Sequence, residues 1–205
     1  MLELVSAITV TVALVYIAFV VARKKRRSKL IEAVGYKSTD FQKEKAELNT
    51  SDLSDFLQLP LKIRKGHSKD NGEVRFLLVD VTTIMARGPY SGPSQVTYFI
   101  VCTSQSKIPD FTLRAKRFLE TSFELRGSTT LDDAGSVVLW GDDSAVEFLA
   151  NRNPELVAML RARTDLVIRG VKGQLIVWSS SGHVPNRQIQ EYLRFLELHC
   201  HGLTR

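Results

Sequence analysis

The sequence has little of what marks several common classes of protein. Two cysteines in 205 residues are too few for a disulfide-stapled secreted scaffold. Basic charge is also scarce outside one short run. That run, between Arg23 and Lys29, holds six of the 28 lysines and arginines, and only Glu3 of the 22 acids precedes it, so residues 30–205 carry a net charge of about +1. Proteins that bind nucleic acid spread basic charge over a whole face, so we predict no nucleic-acid partner.

The sequence also lacks the motifs that signal a cofactor or a catalytic centre. It contains no glycine-rich phosphate loop, no dinucleotide fingerprint and no nucleophile elbow. We therefore predict no cofactor, no bound metal and no catalytic residue. The absence of these motifs gives no positive case for an enzyme, but an enzyme of an unrecognised class stays open.

Two histidine-containing segments resemble chemical sites only superficially. His199, Cys200 and His201 include ligand types that zinc prefers, but no second pair completes a set of four ligands. The serines at 179–181 with His183 lack the strand-turn-helix context of an activated nucleophile. We interpret the first segment as a frayed, solvated C-terminus, and we predict no catalytic role for the second.

The adjacent aspartates at 132–133 and 142–143 could act in acid–base chemistry or bind a divalent cation. The second pair stands where a helix cap is expected, and the first lies in a turn-rich segment. A charged pocket around Asp80 or Asp142 would favour an enzyme.

One long apolar run stands at the N-terminal end of the sequence. From Leu4 to Ala22, 19 residues include no charge, glycine or proline, which as a helix would measure about 28 Å, close to the thickness of a bilayer core. A cleavable signal peptide would have a basic residue before the run and small residues after it. Here Glu3 precedes the run and bases follow it, so we predict an uncleaved transmembrane anchor.

The bases after the apolar run predict the orientation of this anchor, because lysine and arginine are retained on the cytoplasmic side. We expect the N-terminus outside, the remaining chain in the cytoplasm, and the protein in the cell (inner) membrane. The same bases can be a plain topology signal or can recruit acidic lipids. The residues predicted to contact the membrane surface are Arg23, Lys24, Lys25, Arg26, Arg27 and Lys29.

The chain then divides into three predicted parts. Residues 1–29 form the anchor with its basic flank, residues 30–52 form a polar tether, and residues 53–205 form a cytosolic domain. The anchor helix is expected to stop at Gly35.

The domain alternates between strand and helix patterns. Residues 74–85 and 95–103 are rich in β-branched and aromatic residues and predict two long strands, joined by a loop that contains two Gly-Pro steps. A second hairpin is predicted at residues 165–178, with its turn near Gly173.

Helices are predicted after Asp142 or Asp143, after Pro154, and after Pro185. The last of these carries one apolar stripe formed by Ile189, Tyr192, Leu193 and Leu196. The predicted fold class is therefore α+β: an N-terminal transmembrane helix followed by an antiparallel sheet with helices packed on it, ending in a C-terminal helix.

This order of elements resembles a family of uncharacterised bacterial single-pass membrane proteins, each with one N-terminal transmembrane helix and a cytosolic α+β domain. The chain departs from that pattern at Ala115-Lys116, where such proteins tend to have proline and an acid. The resemblance implies anchoring and architecture, and no known activity. The residues that carry it are Leu59-Pro60, Asp80, Pro109, Phe111, Leu113, Arg114, Gly141-Asp142-Asp143, Arg169-Gly170, Val177 and Pro185.

These observations favour a membrane-anchored, non-catalytic interaction module in the cytosol. Its expected partners are the lipid bilayer and a protein of unknown identity. The alternatives are a domain that binds or senses phospholipids at the inner membrane face, and the enzyme of unrecognised class.

Overall fold

The structure is a computed structural model. Its described residues are 2–39, 66–72, 74–87, 90–103, 108–117, 120, 125–131, 135–171 and 173–204, with side chains described from residue 8 onward and not for 82–87, 90–94, 202 and 204. The predicted start of the domain at residue 53 and the aspartates at 132–133 lie outside the described residues.

Helix α1 spans Leu2–Glu32 without a break. It ends where Gly35 takes a φ of 93° and donates its N–H to the carbonyl of Glu32 at 2.9 Å, which confirms the predicted stop. Within the chain whose side chains are described, which in this helix begins at Ile8, no helix is long and apolar enough to cross a membrane.

The described strands form one sheet in which every pairing is antiparallel. The strand order is β1-β2-β3-β4-β9-β8-β5-β7-β6. The strands are β1 Lys37–Thr39, β2 Gly66–Asp70, β3 Val74–Arg87, β4 Tyr90–Thr103, β5 Phe111–Ala115, β6 Thr129–Thr130, β7 Val137–Gly141, β8 Leu166–Val171 and β9 Gln174–Ser179.

The two long predicted strands are confirmed, but the long loop between them is not. β3 and β4 stay paired to Arg87 and Tyr90, so the strands include Pro93. Proline lacks the N–H that a central strand needs. Pairing with β2 ends at Val79, and pairing with β9 begins at Tyr98. Pro93 therefore lies in a two-stranded ribbon, residues 82–87 and 90–94, which extends beyond the other described strands and has an open edge with respect to them.

The described helices lie on one face of this sheet. Their side chains share a core with strand residues such as Phe76, Phe99 and Leu113, while the alternate residues, such as Leu77 and Ile100, form a second buried cluster on the opposite face. The helices after α1 are α2 Asp143–Glu147, a π turn Phe148–Arg152, α3 Pro154–Ala162, α4 Ile189–Cys200 and a 3-10 turn His201–Thr204.

The α+β class and the C-terminal helix are thus as predicted. The four stripe residues of α4 are at most 1% exposed: Ile189, Tyr192, Leu193 and Leu196. The stripe is structural, because it covers the helical face of the sheet.

The tether predicted at residues 30–52 is wrong for its first ten residues. Ile31 and Tyr36 are buried in the core, and β1 pairs with β2 from Lys37 to Thr39. The large apolar residues from Leu30 to Tyr36 pack on or against the core, and the strand that follows has only three residues, too few to give a signal in the sequence. Residues 40–52 lie outside the described chain.

Candidate functional site

Three contacts fix the direction of α1 against the sheet. Lys69 donates to the carbonyl of Val34 at 3.2 Å, Ser28 contacts His67 at 2.8 Å, and Arg27 binds Asp80. In the strand register, Lys69 and His67 pair with positions 76 and 78 of β3. From Val34 back to Arg27, the chain therefore runs along β3 from the level of residue 76 to that of Asp80. The N-terminal half of α1 continues in this direction and leaves the domain at the same end of the sheet as the β3–β4 ribbon.

Arg27 is the most heavily bonded of these residues. Its Nε and Nη2 donate to the two carboxylate oxygens of Asp80 at 2.5 and 2.8 Å, and Nη2 also donates to Thr97 Oγ1 at 3.1 Å. Its Nη1 donates to the carbonyl of Val184 at 2.7 Å and to Asn186 Oδ1 at 3.2 Å. We call these five residues the Arg27 junction. The bidentate geometry matches the planar guanidinium to the carboxylate.

The strand register creates this arrangement. Asp80 and Thr97 are directly paired across β3 and β4, so their side chains share the face on which α1 lies. Thr97 is fully buried. Its hydroxyl donates to Asp80 at 2.7 Å and accepts the backbone N–H of Val184 at 3.2 Å. The junction thereby joins α1, two strands and the segment that precedes α4.

Two histidines border the junction. His183 Nδ1 is 3.3 Å from Thr97 Oγ1 and 3.7 Å from Asp80 Oδ1. Burial and the positive charge of Arg27 lower the pKa of His183, against the opposing effect of Asp80. Burial also lowers the pKa of His67. The lowered pKa of each ring favours its neutral form, in which His183 contacts Asp80 without an ion pair.

A second contact holds the C-terminal end of α1. Lys69 donates to Glu197 Oε2 of α4 at 2.6 Å as well as to Val34, and its ammonium group lies 5.6 Å from the ring centroid of Tyr36. Burial, followed by the charge of Glu197, raises the pKa of Tyr36. We call Lys69, Glu197, Val34 and Tyr36 the Lys69 clamp. The junction and the clamp fix two levels of one helix to the domain.

The six bases predicted to contact a membrane surface separate in the structure. Arg27 is 8% exposed and its guanidinium is taken up by the junction. The other five side chains are exposed, as the prediction requires: Arg23, Lys24, Lys25, Arg26 and Lys29.

The C-terminus predicted to be frayed and solvated is instead helical and packed: His199 and Cys200 form the last turn of α4, and Leu203 is buried in the core. His199 contacts the carbonyl of Phe195 at 2.8 Å, and its ring lies 4.3 Å from the Phe195 ring. Cys200 is fully buried, and burial raises the pKa of its thiol to about 12. Among the described residues, no group of three potential ligands could hold a metal ion.

The two aspartates considered for chemistry stand at opposite ends of the sheet. Asp80 belongs to the junction, whereas Asp142 follows β7 and caps α2 by accepting the N–H of Ala145 at 3.1 Å. The hydroxyl of Ser144 and this N–H lower the pKa of Asp142. Ser179 also has a structural partner, since its hydroxyl donates a hydrogen bond to Asp165 at 2.8 Å.

A cleft of about 320 Å³ lies beside β5 and β8. One wall is Arg114, which bonds the carboxylate of Glu120 and lies 4.8 Å from the Trp140 ring centroid. The bond from Arg114 lowers the pKa of Glu120. Lys116 and Arg117 also line the cleft. They follow β5 at the end of the sheet where the junction lies.

The junction is what sequence reasoning missed. Arg27 was grouped with its basic neighbours, because a base after an apolar run is typical of a topology signal. The available signal was Asp80, an acid within the strand VRFLLVDVTTIM, since a carboxylate facing a core needs a charged partner.

Comparisons with protein-family models, curated proteins and solved structures found no match to this chain.

Proposed function

We propose that this chain is a membrane-anchored, non-catalytic interaction module whose domain is held in a fixed orientation at the inner membrane face. The observation that carries the proposal is the Arg27 junction, which joins the helix to the domain directly after the apolar run. A flexible tether would let the domain turn freely. A buried, multiply bonded arginine instead couples the position of the domain to that of the helix.

The exposed half of α1 supports the anchoring. Apart from the half-buried Val20, its large apolar side chains from Ile8 to Val21 are 46–68% exposed, and they occupy all sides of the helix. A helix that is apolar all round needs an apolar environment. Together with Leu4 at its start, the run is about as long as a bilayer core is thick. The bases after Ala22 favour a cytoplasmic domain.

This orientation directs one end of the sheet toward the bilayer. That end includes the β3–β4 ribbon, together with Lys116 and Arg117, whose side chains are exposed. Basic side chains at this level are attracted by anionic lipids. The proposed surface contacts of the anchor are Arg23, Lys24, Lys25, Arg26 and Lys29, and Arg27 is omitted because its charge is paired.

The hydrogen bonds of the residues that were considered for catalysis support a non-catalytic module. Asp80, Asp142 and Ser179 each bond a structural partner, and the two aspartates are too far apart in the fold to act together. We infer that the domain binds a protein near the membrane. The resemblance to uncharacterised bacterial single-pass proteins agrees with this proposal. Phospholipid binding is the second candidate, favoured by a basic groove beside α1.

The anchor is tested by alkaline carbonate extraction of membranes that contain the full chain. We expect the wild type to stay in the membrane pellet. Replacing Leu14 and Ile17 by arginine should release it, because each charge in the run opposes insertion, while the same replacements at the exposed positions Glu191 and Leu198 should not. Release of the wild type would contradict anchoring.

Orientation and partner need separate tests. A fluorescent protein fused after Arg205 should fluoresce, and alkaline phosphatase fused there should be inactive. Active phosphatase would contradict the proposed orientation.

Crosslinking in cells should enrich a specific protein with the wild type. Failure to enrich any specific protein would contradict the interaction module and leave the anchor intact.

A further inference from the structure

A groove of about 570 Å³ lies between α1 and the segment that leads into α4. Five of its lining residues come from α1: Phe19, Ala22, Arg23, Arg26 and Leu30. Phe19, Arg23, Arg26 and Leu30 follow one another at intervals of four, three and four residues, which places them on one face of the helix, and Ala22 lies four residues before Arg26 on the same side. The opposite wall includes Pro185, Asn186, Arg187 and Gln190.

Hydrogen bonds hold the two walls together. Asn186 accepts from Arg27 at 3.2 Å and donates to the carbonyl of Arg23 at 3.5 Å, and Gln190 donates to the carbonyl of Leu30 at 3.0 Å. The groove is therefore part of the docked arrangement of α1.

Within the part of the chain that the structure describes, no residue neutralises the charge of the groove. Arg23, Arg26 and Arg187 are exposed, and none of the three guanidinium groups has a hydrogen bond or ion pair with a residue that the structure describes. Arg27, one residue after Arg26, is fully paired with Asp80 and its neighbours. Three guanidinium groups around one groove, each able to donate hydrogen bonds in a plane, suit a phosphate group.

The apolar part of the groove indicates what else the ligand contains. Phe19 and Ala22 are the last part of the apolar run, and Arg23 is the first base after it. A ligand that contacts Arg23 and Phe19 together must have an anionic head next to a hydrocarbon chain. If α1 spans the membrane, the boundary between its apolar run and its first base lies where lipid headgroups meet acyl chains.

We propose that this groove binds the headgroup of an anionic phospholipid from the inner leaflet. The phosphate lies among Arg23, Arg26 and Arg187, and the start of an acyl chain lies along Phe19 and Ala22. The proposal rests on the membrane anchoring proposed above, because that anchoring brings the groove to headgroup level. An anionic phospholipid would then be a ligand of the face of the module that carries this groove.

The test is titration of the full chain, purified in detergent, with phosphatidylglycerol or phosphatidylcholine, with bound lipid counted by native mass spectrometry. The wild type should bind phosphatidylglycerol in preference to phosphatidylcholine. Arg23→Gln, Arg26→Gln and Arg187→Gln combined should weaken phosphatidylglycerol binding at least about tenfold. The matched control removes the same charge at three exposed positions outside the groove: Lys37→Gln, Arg126→Gln and Arg194→Gln should change it less than about twofold.

Three outcomes would overturn the site. The two triple variants could lose binding equally, which would show diffuse attraction; phosphatidylcholine could bind as well as phosphatidylglycerol; or inorganic phosphate could displace the lipid, which would show a site for a free anion. Arg187→Gln alone, a change outside α1, should already weaken binding and guards against misfolding of the triple variant. Carbonate extraction is independent of this titration, so loss of anchoring and loss of the groove are distinguishable.

Discussion

The two halves of α1 belong to one continuous helix but have different surroundings. In the first half Ile17 is 56% exposed, whereas in the second half Ile31 is fully buried and Arg27 is 8% exposed. Two isoleucines in the same helix thus differ in burial because only one half faces the sheet. The comparison teaches that the apolar half of α1 and the domain are not separate units joined by a linker, since the second half of the helix contributes to the domain core.

The largest expected difference comes from the same substitution in each half. Ile31→Ala should lower the free energy of unfolding of the domain by about 2–5 kcal/mol, because it removes a fully buried side chain. Ile17→Ala should change it by less than about 0.5 kcal/mol. Denaturant unfolding of the full chain in detergent measures both. Equal effects of the two variants would mean that the second half of the helix is not docked.

The junction is tested by two neighbouring arginines. Arg27→Met should cost about 2–4 kcal/mol, because it leaves Asp80 without its partner; the cost is below that of a fully buried pair, since the Asp80 side chain is 35% exposed. Arg26→Met, at an exposed position, should cost less than about 0.5 kcal/mol.

A second substitution identifies the cause of that loss. Adding Asp80→Asn to the Arg27→Met variant should recover part of the stability, because the uncompensated carboxylate is gone. If the double variant is as unstable as the sum of the two single variants, Arg27 and Asp80 do not act as a pair.

A smaller effect is expected from pH. The folded state lowers the pKa of His183 and His67 below the unfolded value, so on acidification the unfolded chain binds protons first. Stability should fall as pH decreases through about 6.5. His183→Asn should flatten this dependence, and His199→Asn, away from the junction, serves as the control. Stability that rises on acidification would show that His183 is charged and paired with Asp80.

The regular parts of the fold could be predicted because each had a local signal. β3 and β4 were visible as runs of β-branched and aromatic residues, and the stripe from Ile189 to Leu196 identified the C-terminal helix. A helix cap was identified at Asp142 or Asp143 from their position after a strand, and the structure assigns it to Asp142. These features depend on neighbours in the sequence, which a single sequence contains.

The features that were not predicted depend on residues that are distant in the sequence. β1 has three polar residues, and only its pairing with β2 makes it a strand. Pro93 fits in β4 because the ribbon has an open edge there. Arg27 looks like any base of its run, and its burial follows from Asp80, 53 positions further along the chain. No periodicity connects such pairs, so the candidate site had to come from the structure.

The central claim is that the exposed half of α1 and the domain move as one body. The most direct measurement is the electron-spin distance between labels at Val12→Cys and Leu198→Cys, both at exposed positions, in full chains embedded in lipid nanodiscs. Cys102 is replaced by serine, and Cys200 needs no change because it is buried and its pKa is raised to about 12. We predict a single narrow distance distribution that broadens in the Arg27→Met variant. A broad distribution in the wild type, unchanged by that substitution, would contradict the account.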